Sequence, residues 1–184
     1  MCTRALAVYL IIINICVTGD FGPKNANNYG FYVVVWEHFD QCRGPKMVNV
    51  TNFVNTLLIN EENHYIGRIN MTFLEDARID EMKIYVYTVK EGVKKLMWNY
   101  NIKKPCQHYV FAALLESHLG VKNCGAKKGV YFSDMDLTVL MAKYIGDQFF
   151  YGEYLFKVVI LSKKGNIMCV YFDPKFKKKE KVKS

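Results

Sequence analysis

The chain has 184 residues, of which 51% are hydrophobic, and a formal net charge of +8 at pH 7. Arg4 contributes +1 and residues 175–184 contribute +5, so the rest of the chain carries +2. Because so little positive charge lies in the body of the chain, this distribution argues against a nucleic-acid-binding face.

Residues 1–19 predict a secretory signal peptide. Arg4 precedes an apolar run over residues 5–17, and the small residues Thr18 and Gly19 follow it. The run is too short to cross a bilayer, which takes about 20 apolar residues, and no other transmembrane segment is expected. We expect cleavage after Gly19, with a signal anchor as the alternative. The expected localisation is secreted, either extracellular or in the lysosomal lumen.

The mature chain is expected to be one domain, residues 20–174, followed by a basic disordered tail, residues 175–184. The tail holds six lysines and one glutamate. Its simplest role is to keep the protein soluble. The alternative is attraction to an anionic membrane surface.

Extended patterns dominate the domain from Phe31 onward. Strands are predicted at residues 31–37, 64–76, 78–89, 94–102 and 127–139 and in the hairpin 149–172. Within 64–76, Ile69 and Met71 face one way while Arg68 and Asn70 face the other. Strands with one buried face predict an all-β antiparallel sandwich.

One segment, residues 105–120, departs from the strand pattern. Its apolar residues lie near helical spacing, and Gly120 supplies a stop signal. We expect one short helix in the region between Cys106 and Cys124.

Four cysteines remain after the signal peptide: Cys42, Cys106, Cys124 and Cys169. An even number in an oxidising compartment predicts two disulfides, and three pairings are open. We favour Cys42–Cys169 and Cys106–Cys124. No CxxC or HxxxH spacing occurs, so neither a metal nor a cofactor is expected.

Two sequons are present, Asn49-Val50-Thr51 and Asn70-Met71-Thr72. Each predicts N-glycosylation where the asparagine is exposed. Asn70 falls on the outward phase of its strand, where a glycan fits.

The search for catalytic motifs finds no GxSxG, Walker, HExxH or GxGxxG pattern. Asp134 and Asp136 could form a carboxylate pair, but we expect them on a solvated outer face. His108 lies near Cys106, which is expected to be bridged, and His64 and His118 are expected as isolated surface residues. We therefore expect no enzymatic activity; a secreted lipid hydrolase dependent on Asp134, Asp136 or His108 is the least favoured class.

The order of several motifs resembles the ML (myeloid-differentiation-2-related lipid-recognition) superfamily, most closely its ganglioside-activator-like branch and related insect secreted proteins, some of them chemosensory. The motifs are KKPCQHY (103–109), NCGAKKGVYF (123–132) and the hairpin 149–172 with its YGEY start. The chain departs from the family in having fewer cysteines than the mammalian activator and Gly125 in place of a proline.

The resemblance implies an immunoglobulin-like β-sandwich, or cup, whose sheets splay apart to hold acyl chains. The residues expected to line it are Tyr65, Ile69, Met71, Phe73, Met82, Ile84, Val86, Trp98, Phe156 and Val158. The expected function is a secreted carrier of a lipid or other hydrophobic molecule. The alternative is an accessory domain with a filled core that assists a hydrolase or a receptor.

Overall fold

The structure is a computed structural model that describes residues 28–180, so the predicted signal peptide and the last four residues lie outside the described part. The described chain contains eleven strands: β1 (Tyr29–Gln41), β2 (Thr51–Ile59), β3 (Tyr65–Phe73), β4 (Ala77–Arg78), β5 (Glu81–Lys90), β6 (Val93–Lys103), β7 (Gly125–Ala126), β8 (Gly129–Asp136), β9 (Gln148–Phe150), β10 (Gly152–Leu161) and β11 (Asn166–Lys178).

Nine of these strands form two antiparallel sheets. The larger sheet has the order β6-β5-β10-β11-β1-β9, and the smaller has the order β2-β3-β8. Strands β4 and β7 form a separate two-stranded ladder. All neighbouring strands in the two main sheets run antiparallel.

The two main sheets pack face to face. Ile69 and Met71 from β3 share a buried cluster with Met82 from β5, Ile160 from β10 and Val170 from β11. Burial of one face of each sheet is what the apolar alternation predicts. The predicted fold class, an antiparallel β-sandwich, is confirmed.

Two α-helices are present in the described chain, and only the first was predicted. Helix α1 (Tyr109–Leu119) follows a 3₁₀ turn at Pro105–Gln107 and ends at Gly120, whose φ of 64° suits glycine. Its buried side chains are Leu115 and Leu119.

Helix α2 (Leu137–Tyr144) corrects the expectation of a single helix and of a strand through residue 139. Asp136 ends β8 and caps α2, because its side chain accepts a hydrogen bond from the Val139 N–H at 2.8 Å. Leu137 and Met141, four positions apart, are the buried residues of the helix.

The predicted disordered tail is wrong for residues 175–178, which belong to β11. Lys175, Lys177 and Lys178 pair in register with β1, and Phe176 between them is buried. The alternation of lysine with one phenylalanine therefore extends a strand in spite of the charge.

Both favoured disulfides are present. Cys42–Cys169 ties the end of β1 to β11, and Cys106–Cys124 joins the 3₁₀ turn to the segment after α1. Within residues 28–180, no helix is long and apolar enough to cross a membrane.

Candidate ligand-binding cleft

The buried core between the sheets is divided into two clusters. The first, which we call the disulfide-end cluster, contains Cys124 and the inner-face residues Ile69, Met82 and Ile160. The second, which we call the helix-end cluster, consists of Trp36, Val86, Leu137, Met141, Tyr154 and Phe176.

Four apolar side chains contact both clusters, and each of them is only partly buried. They are Leu57 from β2, Ile84 from β5, Met135 from β8 and Phe172 from β11. Phe156 and Val158 on β10 are also partly buried, although β10 lies inside the larger sheet. We call this group of six partly exposed inner-face residues the inter-sheet cleft.

Exposure along one row of paired residues indicates where the cleft opens. Tyr100, Ile84, Val158 and Val170 lie side by side on β6, β5, β10 and β11. Tyr100 at the sheet edge is 54% exposed, Ile84 and Val158 are partly exposed, and Val170 is 2% exposed. Solvent therefore reaches the inner face from the β6 edge.

The neighbouring row toward the Cys106–Cys124 disulfide is closed. Ile102, Met82, Ile160 and Met168 occupy the same four strands, and all four are buried. Because the inner face is sealed at this end and accessible in the middle, the sandwich has the form of a cup rather than of two sheets pressed together along their length.

The predicted pocket residues divide into three groups. Ile69, Met71, Phe73, Met82 and Val86 are buried core residues. Ile84, Phe156 and Val158 line the inter-sheet cleft. Trp98 is 40% exposed at the β6 edge, where it packs against Phe149 with ring centroids 6.4 Å apart, and Tyr65 lies beside α2 in a surface cleft of about 330 Å³.

Several cleft residues were not predicted. Phe172, Leu57 and Met135 complete the cleft, and Phe53 and Tyr131 are partly buried beside it. Phe172 could have been predicted as a cleft residue, because it lies on the inward phase of the second strand of the predicted hairpin 149–172. Leu57 was missed since no strand was predicted over residues 51–59.

Polar groups on the inner walls are few. Asn55 donates to the Phe39 carbonyl, and Thr51 donates to the Ile167 carbonyl, so the donor group of each side chain is paired with backbone. The indole Nε1 of Trp36 is buried and has no hydrogen-bond partner in the described structure. An apolar lining with few free polar groups suits a hydrophobic guest.

A second, charged cleft of about 630 Å³ lies on the surface between Arg78, Lys122 and residues 162–164. Its carboxylate Asp76 accepts from the Lys127 side chain and from the Lys128 backbone, each at 2.8 Å. The hydrogen bond from Lys127 lowers the pKa of Asp76. This carboxylate therefore forms an exposed ion pair with Lys127.

The residues considered for catalysis have structural partners of their own. Arg68 donates to both oxygens of Asp134 at 2.8 Å, which lowers the pKa of that carboxyl. His108 is exposed and lies edge-on to Phe111. None of these groups faces the inter-sheet cleft as a nucleophile paired with a base.

His64 was expected to be isolated, and the structure corrects this. Its Nδ1 lies 2.7 Å from Oδ2 of Asp136, the residue whose other oxygen caps α2. The pair joins the start of β3 to the start of α2. Within residues 28–180, no group of three or more histidine, cysteine or acidic residues is placed to hold a metal ion.

No protein-family model and no curated protein matches the sequence. The fold is similar to a crystal structure of chicken MD-1 complexed with lipid IVa, with 14% identity over 78% of this chain and 97% of that chain and a TM-score of 0.35. It is also similar to a Niemann-Pick type C2 protein from the Japanese carpenter ant, with 13% identity over 83% of this chain and 96% of that chain and a TM-score of 0.29.

Proposed function

We propose that this chain is a secreted, non-enzymatic binding protein that holds the acyl chains of a lipid, or another hydrophobic molecule, between its two sheets for transport or presentation. The observation that carries the proposal is the partial exposure of Leu57, Ile84, Met135 and Phe172, which bridge the two buried clusters. In a closed sandwich of this size, side chains at the centre of the inner faces are fully buried.

A guest in this cleft gains free energy from the apolar surface that both partners remove from water. Each buried methylene is worth about 0.8 kcal/mol, so a chain with about ten buried methylenes gains about 8 kcal/mol before the cost of immobilising it. Since the walls offer mostly aliphatic and aromatic carbon, the cleft favours the hydrocarbon part of a lipid over a sugar or a nucleotide.

Export of the chain supports this role and is part of the proposal. The apolar run at residues 5–17 is typical of a signal peptide. The two disulfides, Cys42–Cys169 and Cys106–Cys124, suit the oxidising conditions of secretion.

The sequence resemblance supports the same class of ligand. The CGAKKGVY and YGEY motifs resemble the ML superfamily. CGAKKGVY leads into β8, and YGEY leads into β10, the strand that supplies Phe156 and Val158. We include in this proposal that the chain belongs to the ML superfamily and that it is most similar to the ganglioside-activator-like or insect chemosensory-type proteins.

Filling the cleft tests the proposal. Val158→Trp places an indole among Ile84, Phe156 and Phe172, and we expect it to reduce binding of a fluorescent fatty acid such as cis-parinaric acid by at least tenfold. Val54→Trp is the matched control, because Val54 is 64% exposed on the outward face of β2. Circular dichroism establishes that both variants are folded.

Two results would contradict the carrier proposal. One is a folded wild-type protein that binds no acyl probe; the other is Val158→Trp binding as tightly as Val54→Trp. The first would favour the alternative, an accessory domain that acts on a hydrolase or a receptor through its surface.

Attraction of the basic C-terminal end to an anionic membrane is a separate part of the proposal. Lys177, Lys178 and Lys179 are exposed, and the sequence adds Lys181 and Lys183. Near an anionic membrane each lysine contributes about 1 kcal/mol. Truncation after Phe176 should therefore weaken sedimentation with phosphatidylserine vesicles and leave sedimentation with phosphatidylcholine vesicles unchanged.

A further inference from the structure

The outward face of the three-stranded sheet carries exposed apolar side chains around one asparagine. Asn70 lies on the central strand β3, directly opposite Val54 on β2 and Phe132 on β8. Val54 is 64% exposed and Phe132 is 61% exposed. Val130, two residues from Phe132 on the same face of β8 and paired with Thr72, is also exposed.

Asn70 is available for modification in the described structure. It is exposed, and its side-chain amide makes no hydrogen bond to any residue in the range 28–180. It begins the sequon Asn70-Met71-Thr72, whose threonine follows on the same outward face. Met71 between them points inward and is buried, so the strand presents both sequon side chains together.

We propose that an N-linked glycan on Asn70 covers Val54 and Phe132 and thereby keeps the chain monomeric. This inference rests on the proposed secretion, because only the secretory pathway attaches the glycan, and it does not depend on what occupies the inter-sheet cleft.

The register explains why a glycan at this position would contact both side chains. Directly opposed residues on antiparallel strands have Cβ atoms about 5 Å apart, so the first sugar on Nδ2 emerges between Val54 and Phe132. The C–H faces of a pyranose pack on apolar and aromatic carbon. The Arg68 guanidinium, held by Asp134, lies 5.3 Å from the centre of the Phe132 ring on one of its faces, so a sugar on Asn70 would pack on the remaining exposed surface of the ring.

The second sequon provides a comparison within the same chain. Asn49 is exposed in the loop before β2, and its Oδ1 accepts from Asn166 Nδ2 at 2.9 Å. That bond leaves Nδ2 of Asn49 open to a glycan. Asn49, however, is not paired with Val54 or Phe132, both of which lie opposite Asn70. Loss of the Asn49 glycan should therefore not expose the apolar face.

The test uses the full chain secreted from a eukaryotic cell line, with Thr72→Ser and Thr72→Ala as a matched pair. Serine keeps the sequon and alanine removes it, while neither changes Asn70, Val54 or Phe132. We expect wild type and Thr72→Ser to carry a glycan on the Asn70 peptide by mass spectrometry and to be monomers by light scattering. Thr72→Ala should lose one glycan and form dimers or larger species.

A rescue variant separates shielding from misfolding. Adding Val54→Thr and Phe132→Thr to Thr72→Ala should restore the monomer, and should also restore secretion if Thr72→Ala is retained in the cell. Asn49→Asp, which keeps the acceptor for Asn166, should remain monomeric.

Three results would overturn the inference: an unmodified Asn70 in the secreted wild type, a monomeric Thr72→Ala, or no rescue by the two threonines. Acyl-probe binding is read separately, so failure of the lipid proposal leaves these outcomes unchanged.

Discussion

The rings of Phe156 and Phe172 stack on the inner face of the larger sheet, with centroids 5.4 Å apart and planes inclined by 8°. The two residues are directly paired across β10 and β11. Both remain partly exposed, so the stack forms part of the wall of the inter-sheet cleft.

Replacing either ring by leucine should affect stability more than binding. Phe156→Leu removes the stack and should cost about 1 kcal/mol of unfolding free energy. Phe172→Leu should cost more, because Phe172 also contacts Trp36 and Phe39. Urea unfolding measures both changes.

Leucine keeps the wall apolar, so acyl-probe affinity should change by less than about threefold in either variant, a difference of under about 1 kcal/mol. A large loss of affinity with unchanged stability would show instead that the aromatic stack itself recognises the ligand.

The two tryptophans of the chain should report ligand binding differently. Trp98 is 40% exposed at the open β6 edge, whereas Trp36 is 4% exposed in the helix-end cluster. A lipid entering the cleft should remove Trp98 from water, shift its emission to shorter wavelength and protect it from iodide quenching.

Trp98→Phe should abolish this fluorescence response, and Trp36→Phe should preserve it. Equal responses in the two variants would argue against entry along β6.

Asp136 should stabilise the folded state through two contacts, one with the N-terminus of α2 and one with His64. Asp136→Ala removes the cap on the Val139 N–H and the contact with His64 and should cost about 1–2 kcal/mol. Asp136→Asn keeps an oxygen for the cap and should recover most of that loss. Thermal unfolding compares the variants, and equal destabilisation by alanine and asparagine would indicate that the His64 contact dominates.

Acid should destabilise the fold through His118. Burial lowers the pKa of His118 below its ordinary value of 6.5, and the charge of Lys143 adds to the effect. The folded state therefore binds fewer protons than the unfolded state, so stability falls as the pH drops below about 6.5 and stops falling once the pH is below the folded pKa.

His118→Gln should reduce the loss of melting temperature between about pH 7.5 and about pH 5. Burial raises the pKa of Asp173, which acts in the opposite direction in acid, so the comparison between variants isolates His118. His108→Gln, at an exposed position, serves as the control. An identical pH dependence in wild type and His118→Gln would contradict the assignment.

The phases of the longer strands and the first helix could be predicted from the sequence, but β2, α2 and the end of β11 could not. Strand β2 was missed because Val54, Leu58 and Ile59 are apolar yet exposed, which blurs its alternation. Helix α2 was missed because the strand pattern of β8 continues directly into it. The residue that marks the start of the helix is its N-cap, Asp136. The end of β11 was missed because its lysines are typical of a disordered basic tail.

The cleft itself could be predicted only as a list of inward residues. Ile69 and Val158 have the same phase and the same chemistry in the sequence, yet Ile69 is buried and Val158 lines the opening. Ile69 is a buried member of the disulfide-end cluster, whereas Val158 packs against that cluster from a partly exposed position. Local periodicity does not encode this difference in packing, because a dry core and a lipid site use the same apolar residues.

Native mass spectrometry of the secreted wild-type protein and of Val158→Trp, before and after organic extraction, determines whether the inter-sheet cleft holds a hydrophobic guest. We expect the wild type to carry an extractable hydrophobic molecule, or to take up one fatty acid per chain when supplied, and Val158→Trp to do neither. A folded wild type that stays at its protein mass with lipid present, or a variant that binds as the wild type does, would contradict the carrier proposal.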